Sequence, residues 1–258
     1  MKRNKTAILA LQETHLDNEH MHSINACFGK RITVINTQHP TNPQGSAGTA
    51  FVINRVLIVP KNLITVELIQ GRAIAIMLNW HENEELLLIN AYAPNGRQEQ
   101  LNFWEDLDTS RRAKGLRHPD FLLGDFNVTE DAIDRAPAHL DDVNVIETLR
   151  NLCQCLGLKD TWCHAFPNER SFTYRANNNG QQIKSRIDRI YSSDIIARSS
   201  FDWKLKQTSV PTDHWMVQVK YAPTQVPFIG KGCWTWQIPE PKNVELMENI
   251  QVRGIELQ

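Results

Sequence analysis

The chain has 258 residues, of which 41% are hydrophobic and 22% are charged, as in globular proteins and unlike disordered or fibrous chains. Its 28 basic and 29 acidic residues leave a net charge of −1, so no overall positive field attracts a polyanion, and any such binding has to be local. A chain of this length can bury its own core without disulfides or a structural metal.

The cysteines and the apolar runs indicate the compartment. Five cysteines are an odd count without the spacing of a disulfide framework, which favours reduced thiols inside a cell. The apolar stretch that follows MKRNK is too short for a signal peptide. The longest apolar runs also fall well short of the ~20 residues that span a bilayer. The sequence therefore predicts an intracellular protein with no membrane partner and no transmembrane segment.

Short β-branched and leucine-rich runs predict that the first third of the chain is rich in strands. Runs such as AILAL and LLLINAY are apolar on both faces, which is typical of sheets covered on both sides. The predicted strands are residues 7–11, 32–36, 49–53, 64–69, 73–78 and 85–92.

Helices and strands are predicted together in the rest of the chain. Apolar spacings of three and four predict helices at 96–114 and 142–156. The predicted strands here are residues 119–123, 171–175, 187–191, 201–208 and 215–221. This order lacks regular βαβ alternation, which favours an α/β (α+β) fold of mixed sheets packed together over a doubly wound or barrel fold. Prolines after residue 222 predict a domain at 1–222 and a linker or tail at 223–258.

Charge is distributed unevenly between two segments. Residues 119–147 contain eight acidic side chains and one basic one, whereas residues 170–190 contain five basic side chains and one acidic one. The first composition suits a divalent cation and the second a phosphate backbone. Two solvated faces of opposite sign would explain the same pattern.

Polar residues interrupt or follow several of the most apolar strands. An ionised carboxylate at a buried strand end needs a cation, a hydrogen-bond network or a shifted pKa. Each of these residues, taken alone, could be an ordinary turn or capping residue. Together they are typical of a hydrolytic site that uses a hard metal ion. The set is Glu13, Asp125, Asn127, Asp188, Asp213 and His214.

Five sequence blocks resemble, in order, the signatures of the endonuclease/exonuclease/phosphatase (DNase I-like) superfamily. They are LQETH at 11–15, LLINAYAPN at 87–95, FLLGDFN at 121–127, SRIDRIY at 185–191 and TDH at 212–214. AYAPN and SRIDRIY are most similar to the endonuclease domains of non-LTR retrotransposons. GKGCWTW at 230–236 resembles the segment that precedes the reverse transcriptase in such polyproteins. The resemblance implies a DNase I-like four-layer sandwich, with two packed mixed β-sheets flanked by helices.

The resemblance also implies roles for individual residues. Glu13 would ligate Mg²⁺, or Mn²⁺, and Tyr92 would lie against the scissile phosphate. Asp125 and Asn127 would orient the nucleophilic water and a phosphate oxygen, and Asp188 would support the site. Asp213 would contribute to the metal site and orient His214, which would contact the phosphate or share in proton transfer.

The implied function is Mg²⁺-dependent hydrolysis of DNA phosphodiester bonds, as the target-nicking domain of a non-LTR retrotransposon or its remnant. The implied partners are DNA and a reverse transcriptase domain of the same polyprotein, with the nucleus as the place of action on DNA. Four basic residues are the candidate DNA contacts, namely Arg170, Arg175, Arg186 and Arg189. The alternatives are an abasic-site endonuclease, a phosphatase of the superfamily, or an inactive fragment.

One departure from the family pattern affects these expectations. The family opens with a strand that carries an asparagine of the metal and phosphate site, followed by a helix. Here only MKRNK precedes the strand that ends in Gln-Glu-Thr. The opening strand is therefore predicted to be missing, which would expose apolar surface and an unpaired strand edge.

Overall fold

The computed structural model describes residues 6–59, 62–81, 84–178, 180–208 and 210–222. The predicted tail at 223–258 lies outside these ranges. None of the helices within them has the length and apolarity needed to cross a lipid bilayer.

Fourteen strands and five helices form within the described ranges. The strands are β1 (Ile8–Gln12), β2 (Ile32–Thr37), β3 (Thr49–Asn54), β4 (Ile64–Ile69), β5 (Ala73–His81), β6 (Glu84–Tyr92), β7 (Phe121–Asp125), β8 (Arg135–Ala136), β9 (Leu158–Asp160), β10 (Tyr174–Asn178), β11 (Gln181–Ser185), β12 (Asp188–Ser193), β13 (Ser200–Lys206) and β14 (Met216–Tyr221). The helices are α1 (Asn18–Phe28), α2 (Arg97–Ala113), α3 (Val143–Leu156), α4 (Thr161–Ala165) and α5 (Asp194–Arg198).

The largest sheet has six strands in the order β4-β5-β6-β7-β12-β9. Strands β6 and β7 are parallel, and the other neighbours are antiparallel, so the sheet is mixed. Its central strands are almost fully buried because both faces are covered, as the runs LLLINAY and FLL predict. The strand predicted at 119–123 begins at Phe121 and extends to Asp125.

Three smaller sheets accompany the large one. One has the order β1-β3-β2, one has the order β10-β11-β8, and β13 pairs with β14. Both β1 and β14 lie at the edges of their sheets. The strand predicted at 171–175 is wrong in its position, because regular pairing begins at Tyr174 and continues to Asn178.

Apolar side chains define the layers. One core cluster packs α2 and α3 on one face of the six-stranded sheet, with Trp104, Leu107 and Leu149 among its buried side chains. A second cluster packs the opposite face against β1, β3 and β14, with Phe51 and Ile76 at its centre. A third cluster packs α1 on the outer face of the β1-β3-β2 sheet. The predicted fold class, a layered α/β sandwich of packed sheets flanked by helices, is confirmed.

Candidate active site

Three candidate residues lie side by side across the six-stranded sheet. Tyr92 ends β6 and pairs in register with Asp125, which ends the parallel strand β7. Asp188 begins the antiparallel strand β12 and pairs in register with Asp125 from the other side. Because neighbouring strands lie about 4.8 Å apart, this register brings the three side-chain positions into one row at the same end of these strands, which is one edge of the sheet.

Glu13 reaches the same edge from a different sheet. It follows β1 directly, and its positive φ of 50° turns the chain away from the strand. Its carboxylate accepts a hydrogen bond from the hydroxyl of Tyr92. Burial and this hydrogen bond raise the pKa of Tyr92, so the phenol stays protonated. The structure therefore brings Glu13 and Tyr92 together.

A buried asparagine joins the two sheets behind this pair. Asn90, on β6, is 0% exposed, and its amide group donates to the backbone oxygens of Leu11 and Ala50 at 3.0 Å each. Its Oδ1 accepts from Nε2 of Gln12 at 2.6 Å. Asn90 was not among the candidate residues predicted from the sequence, although a polar side chain inside the apolar run LLLINAY indicates a buried hydrogen-bonding role.

Asp125 and Asn127 are held by the turn that follows β7. The backbone NH of Asn127 donates to Oδ1 of Asp125 at 3.0 Å, and Nδ2 of Asn127 donates to the carbonyl of Ala93 at 2.8 Å. Gln100, on α2, donates to the carbonyl of Asn127 at 3.0 Å. The carboxylate of Asp125 is therefore fixed beside Asp188, and the amide of Asn127 is held against the backbone that follows β6.

His214 pairs with Asp188 and not with its chain neighbour. Its Nδ1 lies 2.9 Å from Oδ2 of Asp188, whereas its Nε2 is 4.0 Å from Asp213, whose side chain is 57% exposed. The expectation that Asp213 orients His214 is thus wrong, because β12 places Asp188 on that side of the ring. Asp213 instead projects towards solvent at the margin of the site.

Electrostatics distinguish the acid from the histidine. Burial and the neighbouring charge of Asp188 raise the pKa of Asp125 to about 7. Burial lowers the pKa of His214, but the hydrogen bond to Asp188 and its charge outweigh this effect and raise the pKa to about 9. At neutral pH the site thus presents a carboxyl group close to its own pKa and an imidazolium beside it.

The donor set suits a hard divalent cation. Ligand atoms of Asp125, Asp188 and His214 all lie within 4.8 Å of one another. Glu13 accepts a hydrogen bond from Tyr92, which pairs in register with Asp125. Carboxylate oxygens are the ligands that Mg²⁺ prefers, and a cation would also relieve the mutual repulsion that raises the pKa of Asp125. Nδ1 of His214 is already engaged with Asp188, and the carboxylates are the harder candidate ligands.

Two of the four arginines predicted to contact DNA are in the interior. Arg186 and Arg189 are 4% and 3% exposed, and they form ion pairs with Asp134 and Asp160, with Arg189 also reaching Glu130. Burial raises the pKa of Asp160, but the charges of the two arginines outweigh this and lower it. The prediction for these two arginines is wrong, because their donors bind buried carboxylates and cannot reach a phosphate backbone.

The other two arginines are at the surface. Arg170 is exposed and lies over the ring of Phe172, 6.0 Å from its centroid. Arg175 is exposed on β10, and its guanidinium lies 4.4 Å from the ring centroid of Trp215. The residues directly before Arg175 and Trp215 connect them to the site, because Tyr174 and His214 form a β-bridge with ring centroids 5.0 Å apart. Arg175 is therefore a surface cation close to His214.

The fold and this strand-end cluster define a layered α/β protein with a carboxylate and histidine site at one edge of its central sheet. The model of the Endonuclease/Exonuclease/phosphatase family matches residues 1–214, and the chain belongs to that family. The family comprises nucleases and phosphatases, and the resemblance to it that the sequence blocks indicated is confirmed.

One curated relative comes from a transposon. The chain is 29% identical over 201 residues to the "Transposon TX1 uncharacterized 149 kDa protein" of Xenopus laevis. This alignment covers 77% of the chain but only 15% of that much longer protein. The resemblance to transposon proteins noted in the sequence is confirmed by this match.

Solved structures share the fold. The chain is 15% identical to the endonuclease domain of TRAS1, a telomere-specific non-LTR retrotransposon, with a TM-score of 0.61 over 87% of this chain and 90% of that one. It is 21% identical to an AP endonuclease from Archaeoglobus fulgidus, with a TM-score of 0.66 over 85% and 90% of the two chains.

Proposed function

We propose that the chain is a divalent-metal-dependent endonuclease that hydrolyses phosphodiester bonds of DNA. The observation that carries this proposal is the convergence of Glu13, Tyr92, Asp125, Asp188 and His214 at one edge of the central sheet. Mg²⁺ is the proposed cation, since it needs only one or two carboxylates besides the substrate phosphate, and Mn²⁺ has similar requirements. When bound, the cation would neutralise charge that develops on the phosphate.

Side chains of the protein are proposed to activate the water and to bind the phosphate. Asp125, whose pKa is about 7, orients the attacking water with Asn127 and accepts its proton as the water oxygen bonds to phosphorus. The bond from phosphorus to the sugar oxygen on the opposite side breaks, and the leaving oxygen takes a proton from solvent. His214, protonated at neutral pH, donates to a phosphate oxygen, and Asp188 fixes its ring. Tyr92, whose hydroxyl donates to Glu13, is proposed to lie against the phosphate on the side opposite His214. Asp213 is proposed to act at the exposed margin of the metal site.

A polymer substrate is supported by the surface around His214. The hairpin of β10 and β11 carries Arg175 and Lys184 as a directly paired cross-strand couple. With Arg170 at the base of this hairpin, several cations are available along one side of the site. Several phosphate contacts favour a nucleic-acid backbone over a small phosphate ester.

The proposed biological context is target nicking by a non-LTR retrotransposon or its remnant. The TX1 protein is described as belonging to a transposon and the TRAS1 domain as belonging to a non-LTR retrotransposon, which supports this context. The tail at 223–258 would then lead to a reverse transcriptase domain of the same polyprotein, and the nucleus would be the place of action. Domain limits of 1–222 and 223–258 remain part of this proposal.

The deciding experiment is the conversion of supercoiled plasmid to nicked circle by the purified chain, with Mg²⁺ and with EDTA. Nicking that requires Mg²⁺ and is lost in Glu13→Ala and His214→Ala supports the proposal. Glu147→Ala, on an exposed position of α3, is the matched control and should nick like the native chain. A folded chain that leaves the plasmid intact under all conditions would instead support an inactive fragment.

An abasic-site endonuclease is the second candidate, supported by the TM-score of 0.66 to the AP endonuclease from Archaeoglobus fulgidus. The two candidates differ in substrate. A duplex with a single abasic site, compared with the same duplex intact, separates them. Cleavage restricted to the abasic duplex would favour this second function, and cleavage of both would favour the general endonuclease.

A further inference from the structure

Arg72 is a cation at the site that lies outside the five sequence blocks. It lies in the turn between β4 and β5, and its guanidinium carbon is 4.7 Å from the centroid of the Tyr92 ring. The hydroxyl of that ring donates to Glu13. Arg72 therefore lies on the Glu13 side of the site, opposite His214.

The turn that carries Arg72 is firmly placed. The backbone NH of Tyr92 donates to the carbonyl of Arg72 at 2.8 Å. Gly71 has a φ of +69°, its NH donates to Thr37 at 2.8 Å, and its carbonyl accepts from Gly48 at 2.9 Å. A Cβ on Gly71 would lie 2.9 Å from the Cα of His39. These contacts fix the backbone from which Arg72 extends over Tyr92.

The guanidinium of Arg72 has no carboxylate partner among the described residues. The buried arginines of the chain are different, since Arg186, Arg189 and Arg111 each bind one or more carboxylates. Arg72 is half-buried, so its charge is partly shielded from water, and its hydrogen-bond donors are available for a ligand. A planar guanidinium binds phosphate oxygens with two parallel hydrogen bonds.

The charge balance of the site explains why such a cation is useful. The carboxylates of Glu13, Asp125 and Asp188 would repel a polyanionic backbone. Arg72 offsets this repulsion on the side of Glu13 and Tyr92. We propose that Arg72 binds a non-bridging oxygen of a backbone phosphate on the Glu13 and Tyr92 side of the site. This inference rests on the proposed endonuclease function.

Two variants test the role of Arg72 against a matched arginine. Arg72→Ala removes the charge and the donors, and Arg72→Lys keeps the charge without the planar fork. Arg112→Ala is the control, because Arg112 is exposed on α2 with a carboxylate partner in Asp108. Binding of a labelled DNA duplex in EDTA is measured between about 50 and 200 mM salt, and nicking kinetics are measured with Mg²⁺.

Arg72→Ala should reduce the slope of log affinity against log salt by about 0.9, since one phosphate contact is lost. Its KM should rise about tenfold, with kcat changed much less, because the contact is made before and during the reaction. Arg72→Lys should restore the salt slope but only part of the KM. A purely structural role would lower the melting temperature without changing the salt slope.

The outcomes separate this inference from the function on which it rests. A native chain that nicks DNA, together with an Arg72→Ala variant of unchanged salt slope and KM, overturns the role of Arg72 alone. A folded native chain that neither binds nor nicks DNA overturns both the function and the role of Arg72. An equal loss of salt slope in Arg112→Ala would also overturn the role of Arg72, because the loss would then result from the change in net charge.

Discussion

The Nδ1 atom of His214 lies 2.9 Å from Oδ2 of Asp188, a residue 26 positions earlier in the chain. Asp188 also pairs in register with Asp125, so one carboxylate faces a buried acid on one side and an imidazole on the other. Its charge raises the pKa of both neighbours. Asp188 is therefore the group through which the protonation states of Asp125 and His214 are linked.

Replacing Asp188 should lower the pKa of His214. In Asp188→Asn the hydrogen bond to a charged partner is lost, so the pKa should fall from about 9 towards 6.5. Titration of the His214 ring protons by NMR in metal-free protein measures this change. Asp213→Asn is the matched control, because Asp213 is exposed and 4.0 Å from the ring. A larger fall in Asp213→Asn than in Asp188→Asn would contradict the structure.

Stability of the metal-free protein should decrease as pH rises from about 6.5 to 9. The folded pKa of His214 is raised to about 9 from 6.5, so the folded state holds the proton more tightly than the unfolded state. Its stabilising contribution is complete below pH 6.5 and is lost as pH rises through 9. Urea unfolding across this range should show a loss of about 1 to 3 kcal/mol. His214→Asn should flatten the profile, and an unchanged slope in that variant would refute the assignment.

Asp125 should add a second decrease at lower pH. Its folded pKa of about 7 is above the ordinary aspartate pKa of 3.8, so the folded state binds an extra proton between these pH values. The free energy of unfolding should therefore fall as pH rises from about 4 to 7 in EDTA. Asp125→Asn should remove this decrease and should be more stable than the native chain at pH 7. A variant that retains the native profile would show that another group titrates.

Gly124 is required by the close approach of β6 and β7 directly before Asp125. Its φ is +144°, and a Cβ there would lie 1.9 Å from the carbonyl oxygen of Ala91. Gly124→Ala should destabilise the protein by more than about 3 kcal/mol, or prevent folding, because β6 and β7 would be forced apart. Gly115→Ala is the control, with φ +68° and no atom within 4 Å of the added Cβ. It should cost about 1 kcal/mol in urea unfolding, and equal losses would contradict the packing.

Local sequence pattern predicted many of the strands and helices, because the burial of each depends on the spacing of its own apolar residues. The apolar run of β6 and the helical spacing of α3 predicted buried elements whose limits agree within a residue or two. The strands β8, β9 and β11 were missed, because they are short or polar and are strands only by virtue of their partners. The helices α4 and α5 were missed because five residues carry too little periodicity.

The candidate site was predicted in its residues but not in its contacts. Asp125 and Asp188 were identified from the sequence because each is a polar residue next to an apolar run, and this pattern is visible locally. The partner of His214 depends on which strand lies beside it, and this is a property of sheet order. The same limit applies to the basic segment at 170–190, since sequence counts charges without showing which of them face acidic side chains in the interior.

Loss of Arg186 should destabilise the fold far more than loss of a surface arginine. Arg186 binds Asp134 and Asp160 with both partners nearly buried, so Arg186→Met leaves these two carboxylates with Arg189 as their shared cationic partner. The free energy of unfolding should fall by about 3 to 5 kcal/mol in urea titrations. Arg170→Ala, at an exposed position, should change it by less than about 0.5 kcal/mol. Comparable effects for the two variants would place Arg186 at the surface.

Mg²⁺ should stabilise the folded chain through the carboxylates of the site. A ligand that binds only the folded state at about ten times its dissociation constant adds about 1.4 kcal/mol. For a domain of this size, that gain should raise the melting temperature by about 3 to 5 °C. Glu13→Gln and Asp125→Asn should each reduce the shift, because each removes the charge of a candidate ligand from the site. Glu147→Gln, exposed on α3, is the matched control and should keep the full shift. If Mg²⁺ raised the melting temperature equally in all three variants, the cation would bind elsewhere, and the proposed metal site would be refuted whether or not the chain cleaves DNA.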